Sequence, residues 1–234
     1  MQSIRLLLTS AALLGAVPLA AQEDSGLGEV VVTAQRSERK YYSDEQPVIG
    51  LRRQADSAVQ NVWFTSDSRD EAMRKREIHA MLLAALDRAA GAGVQLVTGE
   101  VELVEVTRAN YKDLLFQNAG RPDTSRIDLM IKSKLAGSTG GAQQRIDAFV
   151  KSVPANGRAL LEKRGYLTLT IINPDQYRDE IVKLIAEHSK RYAGYFGPEY
   201  GVEVTGLHEQ LSWAQVSGSD VFLYIPYRFT IKPK

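Results

Sequence analysis

The residues that could do chemistry are few in this chain of 234 amino acids. It has three histidines, His79, His188 and His208, and no cysteine. No histidine has a second histidine at the spacing of metal ligands, and the first two lie in segments predicted as long helices. His208 falls in a predicted turn. This pattern favours solvated or packed histidines over ligands or general bases, so we predict no metal site.

Three acidic residues, Glu100, Glu102 and Glu105, lie close together in a predicted strand. Two carboxylates can share acid and base roles when their surroundings separate their pKa values. Here the acids alternate with apolar residues, which is typical of a strand with one solvated face. We therefore predict a protein that is not an enzyme, with no catalytic residue and no cofactor. The alternative is a hydrolase whose site combines scattered residues such as Glu100 and His188, and it requires a cavity that joins them.

The first 21 residues have the pattern of a secretory signal peptide. Arg5 supplies the positive charge, residues 6–17 are predominantly apolar, and small residues precede position 22. The apolar run is too short for a transmembrane helix, which needs roughly 20 apolar residues. We expect cleavage of residues 1–21 and a mature protein in the periplasm of a Gram-negative bacterium, with peripheral association with the outer membrane as a further option.

The mature part is formally neutral. Arg5 is the one charged residue in the signal segment, so 28 basic residues remain against 28 acidic ones. A neutral chain lacks the positive field of nucleic-acid-binding proteins and has no preference for an anionic membrane surface. No later segment is apolar enough to cross a membrane, so we predict no transmembrane segment after cleavage.

Residues 22–46 differ in composition from the rest of the chain. They are small, polar and charged, apart from two tyrosines and the short run Val30-Val31-Val32. Three valines bury too little apolar surface to offset the entropy of ordering such a segment. The composition therefore predicts a mostly disordered leader over residues 22–46 and a folded domain over residues 47–234.

Within the domain, predicted strands come in pairs between helices. This order favours an α+β fold with antiparallel or mixed sheets over a doubly wound parallel sheet. We expect the sheets to pack against two long helices and one shorter helix. Ser68 and Glu71 are predicted to form a capping box at the start of the first long helix, and Asn173-Pro174 to begin the second. The predicted helices cover residues 68–90, 142–152 and 173–196, and the predicted strands cover residues 48–51, 58–65, 96–106, 127–135, 160–172, 202–205, 211–216 and 221–231.

Two segments and the order of elements carry a resemblance to a known family. Residues 171–179 (Ile-Ile-Asn-Pro-Asp-Gln-Tyr-Arg-Asp) and residues 221–231 (Val-Phe-Leu-Tyr-Ile-Pro-Tyr-Arg-Phe-Thr-Ile) resemble the late strand–helix junction and the closing strand of the SIMPL-domain family of bacterial periplasmic and outer-membrane proteins. The similarity covers about residues 47–232. It implies a mixed α+β domain, in some members assembled into large rings, and it brings no catalytic residues.

The leader carries a second resemblance. Residues 29–36 (Glu-Val-Val-Val-Thr-Ala-Gln-Arg) resemble the TonB box near the mature N-terminus of outer-membrane TonB-dependent receptors. An extended β-branched segment on a tether suits strand addition to the exposed sheet edge of a partner. The chain is too short to be such a receptor, whose barrel of about 22 strands and plug need far more residues. The resemblance implies a TonB-like partner and, as partner-binding residues, Glu29, Val30, Val31, Val32, Thr33 and Ala34.

Other interpretations stay open. Residues 29–36 could form an edge strand of the protein's own sheet, or an inert linker. The function that we expect is that of an exported, non-enzymatic interaction protein that engages a TonB-type energy transducer and forms homo-oligomers. The alternatives are a structural, oligomer-forming envelope or stress protein without a TonB contact, and the hydrolase described above.

Overall fold

The computed structural model describes residues 28–32, 49–100 and 102–234. The predicted signal peptide, most of the predicted leader, and Thr33 and Ala34 lie outside the described residues. Within these ranges the chain forms three α-helices and twelve β-strands.

The helices are α1 (Glu71–Ala89), α2 (Thr139–Ser152) and α3 (Arg178–Gly194), with single 3-10 turns at Tyr111–Asp113 and Pro174–Tyr177. The strands are β1 (Glu29–Val32), β2 (Leu51–Gln54), β3 (Ser57–Ser66), β4 (Gln95–Thr98), β5 (Val104–Glu105), β6 (Gln117–Asn118), β7 (Ser125–Lys134), β8 (Leu160–Ile172), β9 (Tyr200–Thr205), β10 (Ser212–Gln215), β11 (Asp220–Tyr224) and β12 (Arg228–Pro233).

The strands form three sheets. The largest has seven strands in the order β1-β8-β3-β7-β4-β5, with β6 paired to β7. A three-stranded sheet has the order β10-β11-β2, and β12 pairs with β9. Each of these pairings is antiparallel. The α+β class with antiparallel sheets, which the pairing of predicted strands indicated, is therefore confirmed.

The first part of the core lies between the large sheet and helices α1 and α2. Because side chains alternate across a strand, one face of β3 and β7 carries apolar residues such as Phe64 and Ile131, both fully buried. Ile78 and Leu82 of α1 and Phe149 of α2 cover this face and are equally inaccessible. Each such side chain contributes about 1.5–3 kcal/mol by burial, so this layer fixes the large sheet.

The second part of the core joins the edge of the large sheet to α3 and the three-stranded sheet. Ile171 of β8, Ile185 of α3 and Leu223 of β11 are fully buried together. Val30 of β1 belongs to the same cluster and is also fully buried. The N-terminal strand therefore contributes to the core of the domain.

The predicted cap of the first long helix is wrong, whereas the predicted start at Asn173-Pro174 is found, but as a 3-10 turn. The N-cap of α1 is Asp70, whose carboxylate accepts a hydrogen bond of 2.7 Å from the backbone N–H of Met73. Ser68 does not cap this helix, because its hydroxyl donates to the buried carboxylate of Glu77. Asn173 has a left-handed backbone conformation, with φ at 40°. The 3-10 turn follows it, and the chain becomes α-helical only at Arg178.

Two predicted strands are interrupted. The strand predicted over residues 96–106 divides into β4 and β5, because Gly99 turns the chain at φ +123°. The strand predicted over residues 221–231 divides into β11 and β12, which belong to different sheets. In both cases the apolar pattern predicts the strand residues on either side, and a turn separates the two pieces.

Candidate partner-binding strand and its groove

Residues 29–32, the first half of the predicted TonB-box-like segment, lie on the edge of the domain's own large sheet. They run antiparallel to the end of β8 as strand β1. The facing pairs are Glu29 with Ile172, Val30 with Ile171, Val31 with Thr170, and Val32 with Leu169. A further hydrogen bond of 2.7 Å runs from the N–H of Asn173 to the carbonyl oxygen of Gly28. The segment thus joins the sheet by strand addition.

The opposite edge of β1 is also in contact with the domain. The N–H of Leu103 donates to the carbonyl oxygen of Glu29 at 2.9 Å, and Val30 forms a β-bridge with Glu102. The indole Nε1 of Trp213 donates to the carbonyl oxygen of Val31 at 3.3 Å. We call the space bounded by β8, residues 102–103 and Trp213 the β1 groove. Backbone groups on both edges of the strand are satisfied in it.

Successive side chains of β1 enter different environments. Val30 points into the second part of the core and is fully buried. Glu29 lies on the other face, where it is 9 % exposed, forms an ion pair with Lys132 of β7, and accepts a hydrogen bond from the hydroxyl of Thr170. A buried carboxylate is tolerated only with such partners. The β1 groove therefore combines an apolar pocket with a charged anchor.

The turn at Gly99 holds one wall of the groove in place. A Cβ atom at this position would lie 1.9 Å from the carbonyl oxygen of Glu102, and φ is +123°. Only glycine fits both the backbone angle and this close approach. The turn places Glu102 and Leu103 beside β1, where the side chain of Glu102 also accepts a hydrogen bond of 3.3 Å from the N–H of Gly28.

For residues 28–32, the structure differs from the disordered leader expected over residues 22–46. Of the interpretations left open, residues 29–32 fit an edge strand of the protein's own sheet. The contact with a TonB-like protein stays a prediction. The physical reason is that the three valines by themselves bury too little apolar surface to order the segment. The groove supplies the missing partners from distant positions, chiefly Lys132, Thr170 and Trp213. The alternation of side chains along each strand indicates which face of the sheet these residues occupy. No pattern in the neighbouring sequence indicates that they contact residues 29–32.

The acidic residues singled out in the sequence lie at the surface of the domain. Glu100, Glu102 and Glu105 are exposed. Two open clefts, of about 520 and 210 Å³, lie on the described part of the molecule, and neither is lined by Glu100 or His188. Neither of these two clefts therefore joins Glu100 to His188, as the hydrolase alternative would require.

The histidines have separate surroundings. His79 is half-buried between the rings of Tyr111 and Phe116, with centroids 5.3 and 5.1 Å away. Burial, together with the charges of Lys112 and Lys75, lowers the pKa of His79 below its usual value. His208 is exposed beside Glu209. Among the described residues, no group of three or more His, Asp or Glu side chains could hold a metal ion.

A buried polar cluster at the junction of β3 and α1 was not foreseen. The carboxylate of Glu77, which is 8 % exposed, accepts hydrogen bonds from the hydroxyls of Ser66 at 2.6 Å and Ser68 at 2.8 Å. Desolvation opposes the charged form of this carboxyl, but these hydrogen bonds and the backbone N–H of Arg158 outweigh it and lower its pKa. These hydrogen bonds join the end of β3 and the segment after it to α1, so we assign the cluster a structural role.

Comparison with protein-family models and with curated proteins finds no match for this chain. The described part of the chain also contains no helix both long and apolar enough to cross a bilayer.

Proposed function

We propose that this protein is an exported, non-enzymatic interaction protein of the bacterial cell envelope. Its segment 29–36 acts as a releasable strand that engages a TonB-type energy-transducing protein, and its SIMPL-type α+β domain stores that strand when the partner is absent. The observation that carries the proposal is the addition of Glu29–Val32 to the edge of β8 by backbone pairing.

The docked segment already uses the chemistry that a TonB-type partner would need. Strand addition takes its affinity from main-chain hydrogen bonds and its specificity from pockets for alternate side chains. In the β1 groove the backbone of β1 bonds on both edges, Val30 fills an apolar pocket, and Glu29 binds Lys132. A partner with an exposed sheet edge would replace the same interactions.

Binding to the partner and docking in the groove exclude each other. The carbonyl oxygens of Glu29 and Val31 accept hydrogen bonds from Leu103 and Trp213, so the second edge of the strand is occupied while β1 is docked. The partner must therefore bind the released form. Because β1 precedes the rest of the described domain in sequence, it can leave without breaking a connection between other strands, as a local opening.

A disulfide lock tests this proposal. Val31 and Thr170 face each other, and the bonds from Asn173 to Gly28 and from Asp56 to Thr170 show that they form a non-hydrogen-bonded pair. In such pairs the Cα atoms are about 4.5 Å apart, which suits a disulfide. The chain has no other cysteine, so Val31→Cys combined with Thr170→Cys forms one defined bond.

The experiment compares the oxidised and reduced lock in binding to a TonB C-terminal domain. We expect binding by the reduced form, none by the oxidised form, and recovery on adding reductant. The single variant Val31→Cys should bind in both conditions. Equal binding by the oxidised and reduced lock would contradict release, and no binding by any form, including the unaltered protein, would favour the structural, oligomer-forming alternative without a TonB contact.

A further inference from the structure

The β1 groove fits a segment that every copy of the chain carries. The contacts of residues 28–32 are made with β8, residues 102–103, Lys132 and Trp213, all of them distant in sequence. Sixteen residues, 33–48, connect β1 to Ile49. None of the contacts depends on whether strand and groove belong to the same chain.

We propose that the groove of one copy also accepts residues 28–32 of a second copy, which gives a reciprocally strand-exchanged dimer. This inference rests on the proposed release of β1. In the exchanged dimer each groove is filled and each strand is paired, so the two copies retain the contacts that both closed monomers make. The occupant is selected by a carboxylate at position 29 and a β-branched residue at position 30, since Lys132 and the apolar pocket lie opposite them.

Concentration decides between the closed and exchanged forms. The connection holds β1 near its own groove at an effective concentration on the order of mM, so the closed monomer dominates in dilute solution. The fraction of exchanged dimer increases where copies of the chain are concentrated or where the closed form is destabilised. A pair of variants can disfavour the closed form selectively, because the anchor is one ion pair between residues 29 and 132.

The test uses Glu29→Lys in one protein and Lys132→Glu in another. Each variant alone brings two like charges together in its closed form, which opposes docking. In a mixture, the lysine introduced into the strand of the first protein meets the glutamate introduced into the groove of the second. The unaltered Glu29 of the second protein likewise meets the unaltered Lys132 of the first. Reciprocal exchange therefore restores both ion pairs, while neither protein can do so alone.

We expect size-exclusion chromatography with light scattering to show a heterodimer in the mixture and predominantly monomers in the separate solutions. The control is a single chain with both substitutions, which restores the ion pair within the chain, remains monomeric, and shows that the reversed pair folds. A mixture that stays monomeric while this control is folded would overturn the proposal.

A second test leaves the ion pair between Glu29 and Lys132 unaltered and traps the exchanged dimer with a disulfide bond. We mix a protein carrying only Val31→Cys with one carrying only Thr170→Cys and oxidise them at high concentration. Exchange predicts a covalent heterodimer in clear excess over that formed when Tyr166→Cys, at a position 92 % exposed, replaces the Thr170 variant. Equal yields from the two mixtures would reject exchange. No TonB-type protein is present in either experiment, so their failure leaves the proposed TonB contact untouched.

Discussion

The carboxylate of Glu29 forms an ion pair with the ammonium group of Lys132, 103 positions further along the chain. Both side chains are largely buried, at 8 % and 16 % exposure. The pair joins the N-terminal strand to β7 near the middle of the large sheet. Under the proposed function, this ion pair shifts the balance between the docked and the released strand toward the docked form.

Removing one partner of this pair should release β1. In Glu29→Gln or Lys132→Met, the remaining group loses its counter-charge, and breaking a buried pair in this way costs about 3–5 kcal/mol when the structure cannot relax. Here the strand can open, so we expect faster amide hydrogen exchange at residues 29–32 with little change elsewhere. Lys134→Met, an exposed position two residues along, is the matched control. Unchanged exchange in both anchor variants would contradict the role of the pair.

The wall at residues 102–103 gives a second prediction. In Gly99→Ala the new Cβ would meet the carbonyl oxygen of Glu102 at 1.9 Å, so the turn must move and the bond from Leu103 to Glu29 should weaken. Gly120→Ala is the control, since Gly120 also has a positive φ, +95°, but open space around its Cβ. We expect proteolysis or hydrogen exchange within residues 28–32 to increase in the first variant only. The same increase in both variants would show that the turn at Gly99 has no specific role in holding residues 28–32.

Deleting the segment should destabilise the domain. A leader without structure could be removed with no effect on the melting temperature, but removal of residues 29–36 exposes the pocket that Val30 fills and leaves the edge of β8 unpaired. Burial of one valine is worth about 1.5–3 kcal/mol, so a fall of several degrees is expected in thermal unfolding. Deletion of residues 22–27 in the mature protein is the control. An unchanged melting temperature after the longer deletion would show that β1 contributes nothing to stability.

The buried carboxyl of Glu77 predicts a pH dependence. Its pKa is lowered in the folded state, so its stabilising effect is complete above the usual carboxyl pKa and is lost as pH falls through the lower, folded value. We expect Glu77→Gln to be less stable by about 2 kcal/mol at pH 7, in line with hydrogen bonds to a charged group, and this difference to shrink below about pH 5. Denaturant unfolding at several pH values measures this. The exposed Glu187→Gln is the control, and parallel pH profiles for all three proteins would refute the assignment.

Much of the fold was predictable because its signals are local. The alternation in β7 and the apolar stripe of α1, for example, indicated their elements nearly to the observed ends. The capping of α1 was not predictable, because a buried carboxylate at Glu77 competes for the hydroxyl of Ser68. The candidate site was predicted only as a segment. Its groove was not, since Lys132, Thr170 and Trp213 reach Glu29–Val32 through tertiary packing alone.

The most direct test of the proposed function is an NMR titration of the isotope-labelled mature protein with a TonB C-terminal domain. We expect the amides of residues 29–32 to be protected in the free protein. On addition of the partner, the signals of residues 29–36 should shift together with those of the emptied groove, at Leu103, Thr170 and Ile172. Signals of the segment and of the groove that all remain unmoved would contradict a releasable TonB-binding strand.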